Sequence, residues 1–226
     1  MRDGTCKTDV ISHRVEVIKM HYIELTQAQS DRLAAALGTD GSLPALRALS
    51  VIGDLAPGGI SKLTRALARG TVPLLRDLSL YSWDTGFVPV ENILDLVADM
   101  LEERVRNPRC KRLELFNVGY DWLSLGSLAA RSRMLQVLLP SVVELPLLSW
   151  NQAYEPFFLE VHAPFLKSIS LDYGGNAFSW KVLEATPALR EIWAADASDL
   201  DGGILQSIST AMRHGALRSL EKAGAL

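Results

Sequence analysis

Apolar residues recur along this chain in one short phrase, apolar-x-x-apolar-x-apolar. It reads Val15-Ile18-Met20, Leu46-Leu49-Val51, Leu75-Leu78-Leu80, Cys110-Leu113-Leu115, Val142-Leu145-Leu147, Leu166-Ile169-Leu171 and Leu189-Ile192-Ala194, with a defective last copy at Leu217-Leu220-Lys222. Successive first positions lie 31, 29, 35, 32, 24, 23 and 28 residues apart, a mean of about 29. The second and third apolar residues of each phrase alternate with the residue between them, which is strand periodicity. A proline precedes six of the copies, as in LPALRALSV, VPLLRDLSL and TPALREIWA. Proline lacks an N–H, so it suits the approach to a strand better than its middle.

The intervening segments read differently. Ile60, Leu63 and Leu67 form one stripe at helical spacing, Ile93, Val97, Met100 and Leu101 a second, and Ile204, Ile208 and Met212 a third. SDRLAAALGTDG, with Ser30 as candidate N-cap, and SLGSLAARSRML predict two more helices. NQAYEPFFLEVHAP, with its proline and aromatics, predicts a loop with a short extended piece, and GNAFSWKVLEATP leaves room for about two helical turns. Strand phrases alternating with helices predict an α/β chain.

At this spacing, with segments such as GGISKLTRALARGTVPLLRDLSL and DGGILQSISTAMRHGALRSL, the chain resembles the leucine-rich repeats of the ribonuclease-inhibitor type over roughly residues 15 to 222. The resemblance implies a leucine-rich-repeat solenoid of about eight repeats. It would be a curved right-handed horseshoe arc, with a parallel sheet on the concave side and helices on the convex side. Residues 1–14 would be an N-terminal extension and 15–226 a single domain. The chain departs from the family where an Asn or Cys usually follows the strand: those places hold Ile23, Asp54, Trp83, Val118, Trp150, Gly174 and Ala197. The family's buried polar ladder is therefore missing or replaced. The short copies resemble F-box-associated repeats. Lys222 stands where an inward leucine belongs, so either it blunts the sheet edge or the stack continues in a longer protein.

Composition narrows the function classes. The 226 residues carry a formal charge of −3, with 48% hydrophobic and 22% charged residues. Disorder and a strongly basic nucleic-acid binder are both disfavoured. Cys6 and Cys110 are too few for a disulfide scaffold and fit a reducing compartment. The first residues have no apolar signal core, and Met134 to Leu148 is too broken to span a bilayer, so a cytoplasmic or nuclear location is expected. Chemistry is scarce. GDLAPGGISK has its lysine after the serine, unlike a phosphate-binding loop, and reads as a turn into a helix. His13, His21, His162 and His214 have no metal-ligand spacing, and no CxxC, HExxH or GxSxG occurs. No enzyme activity, cofactor, metal or small-molecule substrate is inferred.

What remains is a surface. Strand residues alternating with the core pair should project together, and Tyr81, Phe116, Leu148 and Trp193 would lie among Asp77, Glu114, Glu144, Asp172 and Glu191. Aromatics are enriched in protein–protein hot spots. Partner binding is therefore expected at Tyr81, Phe116, Glu114, Glu144, Leu148, Asp172 and Trp193. Trp83 and Trp150 either plug turns or join that surface. Arg47, Arg76, Lys111, Lys167, Arg190 and Arg218 share the second phrase position, as an anion-binding stripe or as compensation for nearby acids. The leading expectation is a non-catalytic protein-interaction module. Alternatives are the substrate-recognition part of an F-box-type ubiquitin ligase, for which the 14 residues before Val15 leave no F-box, a GTPase-activating repeat protein, and an isolated immune-receptor repeat region.

Overall fold

The structure is a computed structural model that describes residues 14–55, 58–82, 90–118, 127–149, 154–172, 179–194 and 203–225. Eight strands form one parallel sheet in chain order: β1 Val17–Leu25, β2 Ala48–Leu55, β3 Asp77–Ser82, β4 Leu115–Val118, β5 Glu144–Ser149, β6 Ser168–Asp172, β7 Glu191–Ala194 and β8 Lys222–Ala225. A helix lies in each crossover: α1 Gln27–Leu37, α2 Gly59–Ala68, α3 Val90–Arg106, α4 Leu128–Leu138, α5 Glu155–Val161, α6 Trp180–Glu184 and α7 Leu205–Arg213. Each helix packs beside the next. Crossovers between adjacent parallel strands share one hand, so a sheet that never reverses its order carries its helices on one face.

Alternation within the strands decides which residues meet those helices. Leu49, Val51, Leu78, Leu80, Ile169, Leu171, Ile192 and Ala194 are buried against them. The stripes Ile60-Leu63-Leu67 and Ile93-Val97-Met100-Leu101 are buried as the spacing predicts. Ile204, which caps α7, and Ile208 within it are buried, but Met212 is 61% exposed, and Ala211 takes the inward place instead. The N-cap of α1 is Thr26 rather than Ser30. Thr26 accepts from the Gln29 amide and the Gln29 side chain accepts from the Thr26 amide, a reciprocal capping box. Ser30 is buried one turn inside. The segment expected to be a loop holds α5, which places its proline in the first turn, where the missing N–H costs nothing, and buries Phe158.

One backbone arrangement recurs at all seven junctions between neighbouring strands. Just before each strand, a single carbonyl accepts two consecutive N–H groups of the next unit: Glu16 takes Arg47 and Ala48, Arg47 takes Arg76 and Asp77, and Arg76 takes Glu114 and Leu115. Glu114, Val143, Lys167 and Arg190 continue the series. This arrangement fixes the register and corrects the phrase at two places. Leu78 pairs with Phe116 and Leu80 with Val118, so the fourth phrase is Leu113-Phe116-Val118. Ile192 pairs with Ala223 and Ala194 with Ala225, so the last is Leu220-Ala223-Ala225. Each moves three residues from its sequence position, and Lys222 becomes an outward residue beside Glu191. In β5 the register shifts between Leu145 and Leu148, so that Leu148 rather than Leu147 pairs with Leu171. The irregularity brackets Pro146, in keeping with the confinement of proline to edges and bulges.

The helix-to-strand turns are joined by buried polar groups. Thr71 Oγ1 donates to the Leu37 carbonyl, and Ser141 Oγ to that of Leu113 at 3.1 Å. The Arg104 side chain is 3% exposed. Its Nη1 reaches the carbonyls of Leu67 at 3.5 Å and Val72 at 3.4 Å, and its Nη2 that of Leu75 at 3.2 Å. Leu67 lies in the last turn of α2, where a cation complements the helix dipole. Gly70, at φ 73°, lets this turn close, since a Cβ there would lie 2.2 Å from Asn107 Nδ2. Arg104→Ala takes its charged donors from the Leu67, Val72 and Leu75 carbonyls, of which Leu67 and Val72 keep a backbone N–H, and opens a void in the core. It should destabilise the fold by about 3 kcal/mol; urea denaturation measures this, and a loss below about 0.5 kcal/mol would contradict the role.

Candidate functional site: the open face of the sheet

Strand residues that alternate with the core point away from the helices. On that side the sheet is lined in register by Ala48, Asp77, Leu115, Glu144, Ser168, Glu191 and Lys222, and one step on by Ser50, Ser79, Asn117, Ser170 and Trp193. These residues are half-buried or exposed, whereas Leu49, Leu78, Phe116, Leu145, Ile169 and Ile192, their neighbours in β2 to β7, are buried. Parallel sheets are ordinarily covered on both faces; among the described residues no helix or strand covers this one.

The expected partner-binding residues separate on this frame. Tyr81 and Trp193 lie half-buried on the open side, and Glu144 is exposed there. Phe116 does not: it is 3% exposed and fills a core place, because the three-residue change of register exchanges its face with that of Leu115. Glu114 precedes β4 at the sheet margin and is engaged with Arg76 at 2.7 Å. Leu148 stands in the register position of the core residue Leu171. The side chains of Leu148 and Asp172 lie outside the described residues, as do Trp83 and Trp150.

The second-position basic row resolves into ion pairs. Its members before successive strands are Glu16, Arg47, Arg76, Glu114, Val143, Lys167, Arg190 and Glu221. Arg47 meets Glu16 at 4.0 Å, Arg76 meets Glu114 at 2.7 Å and Arg190 meets Glu221 at 3.2 Å. At these exposures each pair contributes about 0–1 kcal/mol. Compensation describes this row better than an anion-binding stripe. Lys111 and Arg218 leave it, because Glu114 and Glu221 occupy their expected places.

Near the β8 edge the open face carries a bonded cluster. Glu191 accepts from Lys222 Nζ at 2.8 Å and from the Trp193 indole N–H at 3.3 Å. The indole lies close over Gly224, where a Cβ would stand 3.1 Å from ring atom Cζ3. These two bonds, that from Lys222 first, hold the Glu191 carboxyl below its ordinary range, and Glu191 in turn raises Lys222. Toward β1, His21 Nε2 lies 2.6 Å from Ser50 Oγ. Burial pushes Asp77 up, with the nearby Glu114 charge adding to it and Arg76 and Lys19 opposing. Among the described residues no group of three His, Cys, Asp or Glu could hold a metal ion, and no helix is long and apolar enough to cross a membrane.

No family model, curated protein or solved structure matches this chain. The face is therefore characterised by its own geometry. Because Glu191 is favoured as the carboxylate in the fold, its contribution is present above the usual glutamate range and fades as pH falls through the lowered value. The Trp193 indole N–H resonance should accordingly titrate with a midpoint below 4.5, the ordinary glutamate value, and Glu191→Gln should abolish the titration. A midpoint at or above that value would contradict the cluster.

Proposed function

We propose that this chain is a non-catalytic leucine-rich-repeat solenoid of the ribonuclease-inhibitor-like kind that holds a protein partner on the concave side of its arc. The observation carrying this reading is the uncovered parallel face, with Trp193 and Tyr81 set among Asp77, Glu144 and Glu191. A parallel sheet bare on one side either meets another molecule there or carries enough polar residues to stay wet. Here it does both locally, since serines and acids surround two large aromatics whose area suits a hot spot.

Curvature follows from a mismatch of spacings. Neighbouring strands sit about 4.8 Å apart, whereas packed helices need about 8–10 Å. A layer of helices on one face therefore bends the sheet with its open face inward. Units with short helices, such as five-residue α6, relieve that mismatch more than units with seventeen-residue α3. A concave surface with aromatic anchors among acids suits a folded protein or peptide better than nucleic acid, which would require a basic track.

Photo-crosslinking tests the assignment. A photoreactive residue at Glu144 or Trp193 in cell extract should give one discrete adduct, and one at Arg65, exposed on α2, should give none. Tyr81→Ser with Trp193→Ser should lower recovery of that adduct from Glu144 about tenfold or more while leaving the circular-dichroism melt nearly unchanged. Equal labelling from both faces, or unchanged recovery, would sink the reading.

A further inference from the structure

A cleft of about 450 Å³ opens at the margin where the strands begin, lined by Arg76, Lys111, Arg112 and Glu114 at its β3–β4 end and by Pro140, Val143 and Phe165 toward β6. Glu114 is engaged with Arg76. Lys111 and Arg112 are exposed and make no ion pair among the described residues. Beneath them a void of about 10 Å³ shares Lys111, Arg112 and Ser141 with the cleft and is bounded by Arg104, whose buried Nε has no hydrogen-bond partner. Three cations against one acid thus line a cleft in a protein whose formal charge is −3. At the other end Phe165 is 57% exposed, an unusual cost for a phenylalanine.

We propose that this cleft binds an extended acidic segment of a partner polypeptide, with its carboxylates at Lys111 and Arg112 and an apolar side chain against Phe165 and Pro140. The dimensions select an elongated occupant. The cleft runs across the starts of four strands, β3 to β6; three spacings make about 14 Å, the length of about four extended residues. Its chemistry changes from cationic to apolar along that line, which sets the order of groups in the ligand. A small anion would use only the first end and leave Phe165 bare. The site lies on the margin rather than on the open face and does not rest on the role proposed for Trp193.

Fluorescence anisotropy on the full chain tests it with labelled hexapeptides carrying two adjacent glutamates and, two residues away, a phenylalanine, made in both chain directions. Saturable binding of one direction is expected. It should weaken about tenfold or more when glutamines replace the glutamates, in K111E/R112E and in Phe165→Ser, and with rising salt. Trp193→Ser should bind normally. Circular-dichroism melts identify folded variants, with K111Q/R112Q as the milder replacement where charge reversal lowers the melt. Absence of saturable binding, equal affinity for the glutamine peptide, or binding indifferent to Lys111 and Arg112 would overturn the proposal. So would peptide binding on which Phe165→Ser has no effect and which inorganic phosphate abolishes by competition, which would mark it as a simple anion site.

Discussion

Each strand from β2 to β8 begins by handing two consecutive N–H groups to one carbonyl of the unit before it, from Glu16 through Arg190. That shared acceptor satisfies the backbone at a point where the chain leaves a turn and has no sheet partner yet. It also sets the register for everything downstream. Once Arg76 and Asp77 are bonded to Arg47, Leu78 falls beside Leu49 and Leu80 beside Val51, so the apolar residues align in rows that only a helix layer can cover. Neighbouring strands and helices thus bury their apolar residues against one another in one continuous core. Arg104, Thr71 and Ser141 add side-chain bonds at the same end of the units.

The register then decides which chemistry reaches solvent. Residues one step from the core rows emerge on the bare face, and residues one step earlier form the charge ladder at the margin. In that ladder Arg47, Arg76 and Arg190 are matched by acids from the next or previous unit. The same constraint frees Lys111 and Arg112, which belong to the long turn before β4 and not to the ladder. A face with aromatics among small polar residues and a margin with unmatched cations are thus two products of one stacking rule.

Much of this was legible in the residues. Strand and helix alternate as the period-2 phrases and the helical stripes predict, except that α5 replaces an expected loop and β4 and β8 start three residues later, and Tyr81, Glu144 and Trp193 emerge where alternation predicts. The register errors at β4 and β8 have a common physical origin. Around β4 the phrase fits twice, as Cys110-Leu113-Leu115 and as Leu113-Phe116-Val118, and local pattern cannot choose between them; the bonds from Glu114 and Leu115 to Arg76 can. The same doubling at the end misplaced Lys222. A three-residue slip exchanges the faces, which is why the sequence pattern puts Phe116 on the surface and the fold puts it in the core. Thr26 was readable, since Thr-x-x-Gln is a capping signature. Arg104 was not, because nothing in a run of helix charges marks the one that turns inward.

Cysteine cross-linking across β3 and β4 reads the register directly. In a background with Cys6 and Cys110 replaced by serine, S79C/N117C places two cysteines in register, about 4.8 Å apart and within disulfide reach. S79C/E114C represents the alternative register, and in this structure its cysteines lie three residues out of step, about 11 Å apart. Rapid air oxidation of the first pair with little of the second is the predicted result. Efficient bridging of the second pair alone would contradict the stacking on which the open face and the cleft both depend.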